Sequence, residues 1–273
     1  GVDSSVAAVM LKKQGYDVIG ITLKLYNNSN VTKSKSCCAG IDINDAKKVA
    51  LKYNFPHIIL DYQNKFFDGV INNFVDSYSN GETPLPCVKC NQTVKFSDLL
   101  NEAKKIGADA LATGHYAVRK GSLENASLHK ARDFTKDQSF FLFATLQEQL
   151  NYVRFPLGEF KKSEIRKLAK NFELEISNKP DSQDICFVTS DSYRDLVTKL
   201  NPTVIKKGVI YDSENNILGT HNGISNFTIG QRKGIGVSGS SEAMYVIKIN
   251  KEQNSITLGT KEKLKKNVIN FKN

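Results

Sequence analysis

The sequence predicts an α/β protein: a doubly wound, mainly parallel sheet with helices on both faces, followed by a smaller β-rich part. Three observations predict it. The first 200 residues alternate strand-like and helix-like segments. After about Asn201 the pattern changes to short strands separated by turn signals. Hydrophobic residues make up 40% of the 273, enough for a core, yet no apolar run nears the roughly 18 residues of a membrane span and there is no signal peptide.

Taken in order, Val6, Val9 and Met10 fall at helical spacing in the segment 6–14, with Gly15 as a stop. Residues 17–25 are rich in β-branched side chains and read as a buried strand. Asp42 is placed to cap a helix running to Tyr53, on which Ala46, Val49 and Ala50 repeat at i, i+3 and i+4. His57–Asp61 is a short strand, and 66–78 an amphipathic helix ended by Ser79-Asn80-Gly81. A helix over 91–105 closes at Gly107, and a strand over 110–113 ends at Gly114. In such sheets ligands bind beyond the carboxyl ends of the strands, where Asp3, Leu23 and Gly114 lie. Further on, Gly208–Tyr211, 219–229, 244–249 and 256–258 contain short strands, with Glu214-Asn215-Asn216 as a turn. The expected division is 1–202, 203–238 and 239–273, the last being the beginning of an incomplete β-barrel.

Lys+Arg 38 against Asp+Glu 28 gives a net charge of +10, which attracts polyanions. Five cysteines, an odd number in a chain too long to need a disulfide scaffold, fit reactive or metal-binding thiols in a reducing cytoplasm. Adjacent Cys37 and Cys38 read as incidental.

Gly1-Val2-Asp3-Ser4-Ser5 opens directly into a helix. A helix N-terminus offers unpaired N–H groups with partial positive charge, and glycine lets an anion approach, so the segment suits phosphate. An ordinary helix start is the competing reading, and these five residues leave both open. In Thr83-Pro84-Leu85-Pro86-Cys87-Val88-Lys89-Cys90-Asn91, two prolines stiffen a loop and Cys90 sits where the next helix begins. The helix end, Lys89 and Lys95 are expected to favour the thiolate there. A Cys-x-x-Cys pair is also half a zinc knuckle, but the second pair is lacking. Cys186, between Ile185 and Phe187, reads from its neighbours alone as a buried hydrophobe.

Gly1-Val2-Asp3-Ser4-Ser5 resembles the second half of the Ser-Gly-Gly-x-Asp-Ser loop of the PP-loop ATP pyrophosphatases. On that resemblance the chain begins inside its own motif, without the first strand, and the nucleotide site is expected to be incomplete. Thr83–Phe96, Ala112-Thr113-Gly114-His115-Tyr116-Ala117, Lys136-Asp137-Gln138-Ser139-Phe140-Phe141-Leu142, Asp181-Ser182-Gln183-Asp184-Ile185-Cys186-Phe187 and Thr228-Ile229-Gly230-Gln231-Arg232-Lys233-Gly234 resemble, in order, five motifs of the bacterial tRNA-specific 2-thiouridylases. Five motifs in the family's order, over nearly the whole chain, are a specific signal.

The resemblance implies ATP-dependent 2-thiolation of the wobble uridine of tRNA, U34, by a cytoplasmic sulfurtransferase. ATP adenylates O2, with Mg2+ neutralising pyrophosphate. Gly1, Val2, Asp3 and Ser4 then hold phosphates, while Leu23 and Gly114 contact the nucleotide through backbone. Cys186 carries sulfur as a persulfide, delivered by a sulfur-relay protein or cysteine desulfurase, and Cys90 resolves it through a disulfide. Leu85, Pro86 and Cys87 meet the target base, and Lys136, Asp137 and Gln138 contact tRNA; the ordinary reading of Lys136-Asp137 is a solvated surface pair. One departure is that many family members have Asn-Pro-Asp where this chain has Leu85-Pro86-Cys87. Three cysteines, Cys87, Cys90 and Cys186, thereby raise a rival mechanism in which an iron–sulfur cluster holds the transferred sulfide. Two rival functions stand beside the thiolase. One is a different ATPase of the same superfamily, such as an amidotransferase-linked synthetase or a tRNA lysidine ligase; the second is a non-catalytic RNA-binding fragment.

Overall fold

Val6 and Val9, one helical turn apart, are wholly buried, whereas Ser4, nearer the helix start, is exposed. That one-sided pattern makes Val2–Lys13 a packed helix, α1. The computed structural model describes residues 1–26, 40–181, 184–188, 192–237 and 242–268. Cys37 and Cys38 fall outside them. The chain divides into two compact units, one of Gly1–Ile71 and Pro86–Thr189, the other of Asn72–Leu85 and Ser190–Asn273.

In the first unit α1 is followed by β1 (Gly20–Lys24), α2 (Gly40–Lys52) and β2 (His57–Asp61). Strands β1 and β2 pair in parallel, Leu23 opposite Leu60. Asp42 does not cap α2; it lies inside the first turn, where Lys179 ion-pairs with it and, at 2.6 Å, with Asp45. The helix expected over 66–78 is built in three pieces: α3 (Gln63–Phe66), a wider π-helical turn (Phe67–Ile71) and α4 (Asn72–Ser79), the last belonging to the second unit.

Of the two prolines expected to stiffen a loop, Pro84 does lie in irregular chain, 82–85, but Pro86 opens a helix. Pro86–Cys90 is helical, α5, and runs straight on into a second π-helical stretch, Asn91–Asp98, then α6 (Leu99–Lys105). Proline fits the first position of a helix, where its missing N–H costs nothing. Next come β3 (Leu111–Ala112), a hairpin of β4 (Val118–Gly121) and β5 (Ala126–His129), α7 (Gln147–Tyr152), β6 (Val153–Arg154) and α8 (Lys162–Asn171). β3 pairs in parallel with β6. The expected parallel pairing is thus present as two short ladders, with helices packed on them. One core joins α1 to α8 through Val6, Val9, Ile165 and Ala169; another gathers Phe96, Leu100, Leu142 and Val153, against which Ile21, Leu23 and Leu60 pack.

The second unit holds α9 (Tyr193–Leu200) and a four-stranded sheet in the order β8-β7-β10-β9. Its strands are β7 (Gly208–Tyr211), β8 (Ile217–His221), β9 (Tyr245–Asn250) and β10 (Ser255–Gly259), with β7 and β10 parallel. Within 219–229, where short strands are expected, strand ends at His221, because Gly223, at φ +136°, turns the chain into a short 3-10 turn, Ile224–Asn226. Ile210, Val246, Ile256 and Leu258 are wholly buried between strands and turn. The Glu214-Asn215-Asn216 turn is present: Asp212 Oδ1 accepts N–H bonds from Glu214 and Asn216, and Asn215 takes φ +68°. Among the described residues no helix is long and apolar enough to cross a membrane.

Candidate active site

The first turn of α1 carries the phosphate-loop residues. Gly1 precedes it, Val2 is buried in the core, and Ser4 Oγ turns back to donate to the Gly1 carbonyl at 3.2 Å. Gly114 lies against this turn. A Cβ on it would stand 2.7 Å from the Ser4 nitrogen and 2.9 Å from the Asp3 carbonyl carbon, so only glycine admits that approach. The structure therefore brings Gly114 together with Asp3 and Ser4. Leu23 sits in β1, its side chain half-buried in the second core.

Asp3 is the hub. Lys162 Nζ donates to both its oxygens, at 2.7 and 2.8 Å, and the Tyr116 hydroxyl donates to Oδ1 at 2.9 Å. Burial first, and then Asp3, pushes the Tyr116 hydroxyl well above its ordinary range, which keeps it a donor. Lys162 also reaches Asp181 at 2.9 Å, where Lys136 (3.0 Å) and Arg166 (2.8 Å) join it. Burial pushes the Asp181 carboxyl up, but its bonds to Lys162 and Lys136 outweigh that and hold it at about 2.

Lys136 thus spends its ammonium on Asp181. Asp137 accepts from the Ala131 and Ser139 N–H groups and from the Ser139 hydroxyl, closing its own turn. Gln138 clamps Tyr116, its Oε1 accepting from the Tyr116 N–H at 2.9 Å while its own N–H donates to the Tyr116 carbonyl at 2.8 Å. The three side chains expected to face RNA are tied into the scaffold around Asp3.

The thiols differ in setting. Cys87 is exposed and Cys90, one turn on in α5, is 8% exposed. The expected thiolate bias at Cys90 does not hold. Its helix does not begin there, and burial pushes the thiol up, with Cys87 adding to the rise and Lys95 opposing it. Pro86 is buried in the same turn, and Leu85, before it, is exposed at the end of a second-unit segment. Beside Cys90, Asn91 is 3% exposed; its Nδ2 donates to the Phe141 carbonyl at 3.0 Å, while Oδ1 has no partner among the described residues.

Cys186 is half-buried, and its neighbour Phe187 fills the core position instead. The Phe187 ring meets Phe66 edge-on at 5.6 Å, and the Tyr26 hydroxyl donates to the Cys186 carbonyl at 2.7 Å. Phe66 ends α3, and the π-helical turn after it packs on α5, so one helical segment supports both cysteine-bearing stretches. Cys90 and Cys186 are not joined by a disulfide.

Among the described residues no group of three or more His, Cys, Asp or Glu side chains is placed to hold a metal ion. Cys87, Cys90 and Cys186 do not make up such a group. Nor does the phosphate loop present a ready carboxylate to Mg2+, since Lys162 takes both oxygens of Asp3.

Tyr116, Lys162, Arg166 and Asp181 are site residues that reasoning from sequence missed. Tyr116 and Asp181 lie inside quoted motifs, which was a usable signal. Lys162 and Arg166, at the start of an amphipathic helix, look from sequence like surface charges.

A family model described as tRNA methyl transferase HUP domain matches residues 1–190, and one described as tRNA methyl transferase PRC-barrel domain matches 197–260. Relatives named tRNA-specific 2-thiouridylase MnmA match nearly the whole chain. The protein of Ehrlichia ruminantium (strain Welgevonden) is 55% identical over 268 residues, 98% of this chain and 72% of its own. That of Wolbachia sp. subsp. Drosophila simulans is 56% identical over 262 residues, 95% and 70% of the two chains. That of Rickettsia prowazekii is 53% identical over 265 residues, 97% and 74%.

Proposed function

The chain belongs to the tRNA-specific 2-thiouridylase family, and from that premise we propose that it uses ATP to replace O2 of the wobble uridine of tRNA with sulfur. The family model's description speaks of methyl transfer. The relatives' name is the more specific guide, at about half identity over nearly the full chain. One observation carries the reading at the level of the site. Segments distant in sequence, around Asp3, Tyr116, Gln138 and Asp181, meet in a single hydrogen-bonded network at the start of α1, and Cys186 follows five residues after Asp181.

An amide-like oxygen is a poor leaving group, so the first step is transfer of AMP from ATP to O2, with release of pyrophosphate. The close approach of Gly114 to the backbone of Asp3 and Ser4, at the first turn of α1, supports a nucleotide phosphate there. Mg2+ would arrive with the nucleotide; no protein ligand is assigned to it. Cys186, loaded as a persulfide by a sulfur-relay protein or cysteine desulfurase, attacks C2, and AMP leaves. Cys90 then attacks the Cys186 sulfur. The S–S bond to the base breaks, a Cys90–Cys186 disulfide forms, and 2-thiouridine is released; a cellular thiol reduces the disulfide. The half-buried setting of Cys186 suits the carrier, and the buried, protonated Cys90 suits a thiol that acts only second. Supply of tRNA and reductant places the reaction in the cytoplasm.

The test is 2-thiouridine formation, read by mass spectrometry of digested tRNA, alongside tRNA-dependent ATP–pyrophosphate exchange. Cys186→Ser is expected to abolish thiolation while ATP binding survives. Full activity of that variant would refute the assignment.

A further inference from the structure

Lys162 breaks a local rule. It is the first residue of α8, where the helix dipole disfavours a cation, and its side chain is only 12% exposed. Two carboxylates from distant parts of the first unit offset that cost: Asp3 at 2.7 and 2.8 Å, and Asp181 at 2.9 Å. The Tyr116 ring lies 5.4 Å from the ammonium. Local misfits that are compensated so fully tend to mark functional sites.

Asp3 poses the complementary problem. It is the second residue of α1, in the turn whose N–H groups suit phosphate, yet its carboxylate repels one. Lys162 spans both oxygens of that carboxylate. We propose that Lys162 is a positioning residue of the nucleotide site, cancelling the charge of Asp3 so that the first turn of α1 accepts the phosphates of ATP. Asp181, itself held by Lys136 and Arg166, keeps the ammonium at that spot. The inference rests on the proposed use of ATP at this turn and adds the residue that makes the turn electrostatically competent.

The experiment is a double-mutant cycle read by equilibrium binding of α,β-methylene-ATP, which the enzyme cannot cleave. Lys162→Met is expected to weaken binding by about tenfold or more, and Lys162→Arg to stay within about threefold of the parent protein. Asp3→Asn/Lys162→Met, in which the unpaired carboxylate is gone, is expected to bind within about threefold of Asp3→Asn alone. A merely structural lysine predicts additive losses instead. The double variant carries no stranded charge at position 3, so it decides the question even if Lys162→Met fails to fold. A loss in the double variant as large as that of Lys162→Met in the parent, or parental binding by Lys162→Met, overturns the inference. Failure of the parent protein itself to bind the analogue would instead strike the nucleotide reading.

Discussion

At the scale of single residues, Asp181 and Gly114 make separable predictions. Asp181 is ionised against its burial, at about 2 where 3.8 is ordinary. A depressed carboxyl stabilises the fold above its unfolded pKa, and that contribution is lost as pH falls from about 4 to about 2. Asp181→Asn is therefore expected to cost about 2 kcal/mol near neutrality. In denaturant titrations at stepped pH, the gap between the two proteins should close over that acid window. A constant gap would show that the ion cluster contributes nothing through titration. Gly114 acts through space: a methyl group there meets backbone, not a movable side chain. Gly114→Ala is expected to lower stability by about 1–3 kcal/mol and to raise the KM for ATP about tenfold by displacing the Asp3–Ser4 turn. Thermal melts and exchange kinetics read the two effects.

At the scale of elements, α3 and the π-helical turn after it link the two cysteine segments. Phe66 is wholly buried, with Phe187 edge-on at 5.6 Å and Tyr26 at 6.4 Å. Phe66→Ala removes the ring on which Phe187 rests, at an expected cost of about 3–5 kcal/mol. The Cys186 segment should loosen with it, seen as faster modification of Cys186 by a thiol reagent under native conditions, located by peptide mapping. An unchanged rate would mean that the Phe66 ring does not position the segment. Two stretches beside Cys90, Phe67–Ile71 and Asn91–Asp98, carry π-helical backbone, a geometry found often at functional sites.

At the scale of the whole chain, the alternation of apolar runs and breakers was enough to place α1, β1, α2, β2, β7 and the Asp212–Asn216 turn, because each is set by local periodicity or turn chemistry. The helix at Pro86–Cys90 was misread because proline both stiffens loops and starts helices, and only the packing of Pro86, Val88 and Cys90 into the interior decides between them. That same burial reversed the expectation for the Cys90 thiol, which local charge alone put on the thiolate side. Motif order pointed to Asp3, Gly114 and Cys186, but not to the cation joining Asp3 to Asp181. Lys162 lies 159 residues from Asp3, and tertiary folding alone makes them partners.

The seclusion of Cys90 has a consequence for the resting protein. Peroxides and electrophiles attack exposed thiolates, and Cys90 is neither exposed nor readily ionised. Cys87, one turn earlier and open to solvent, meets such reagents first. The resting protein thereby keeps the Cys90 sulfur sheltered from oxidative damage, behind a more accessible neighbour.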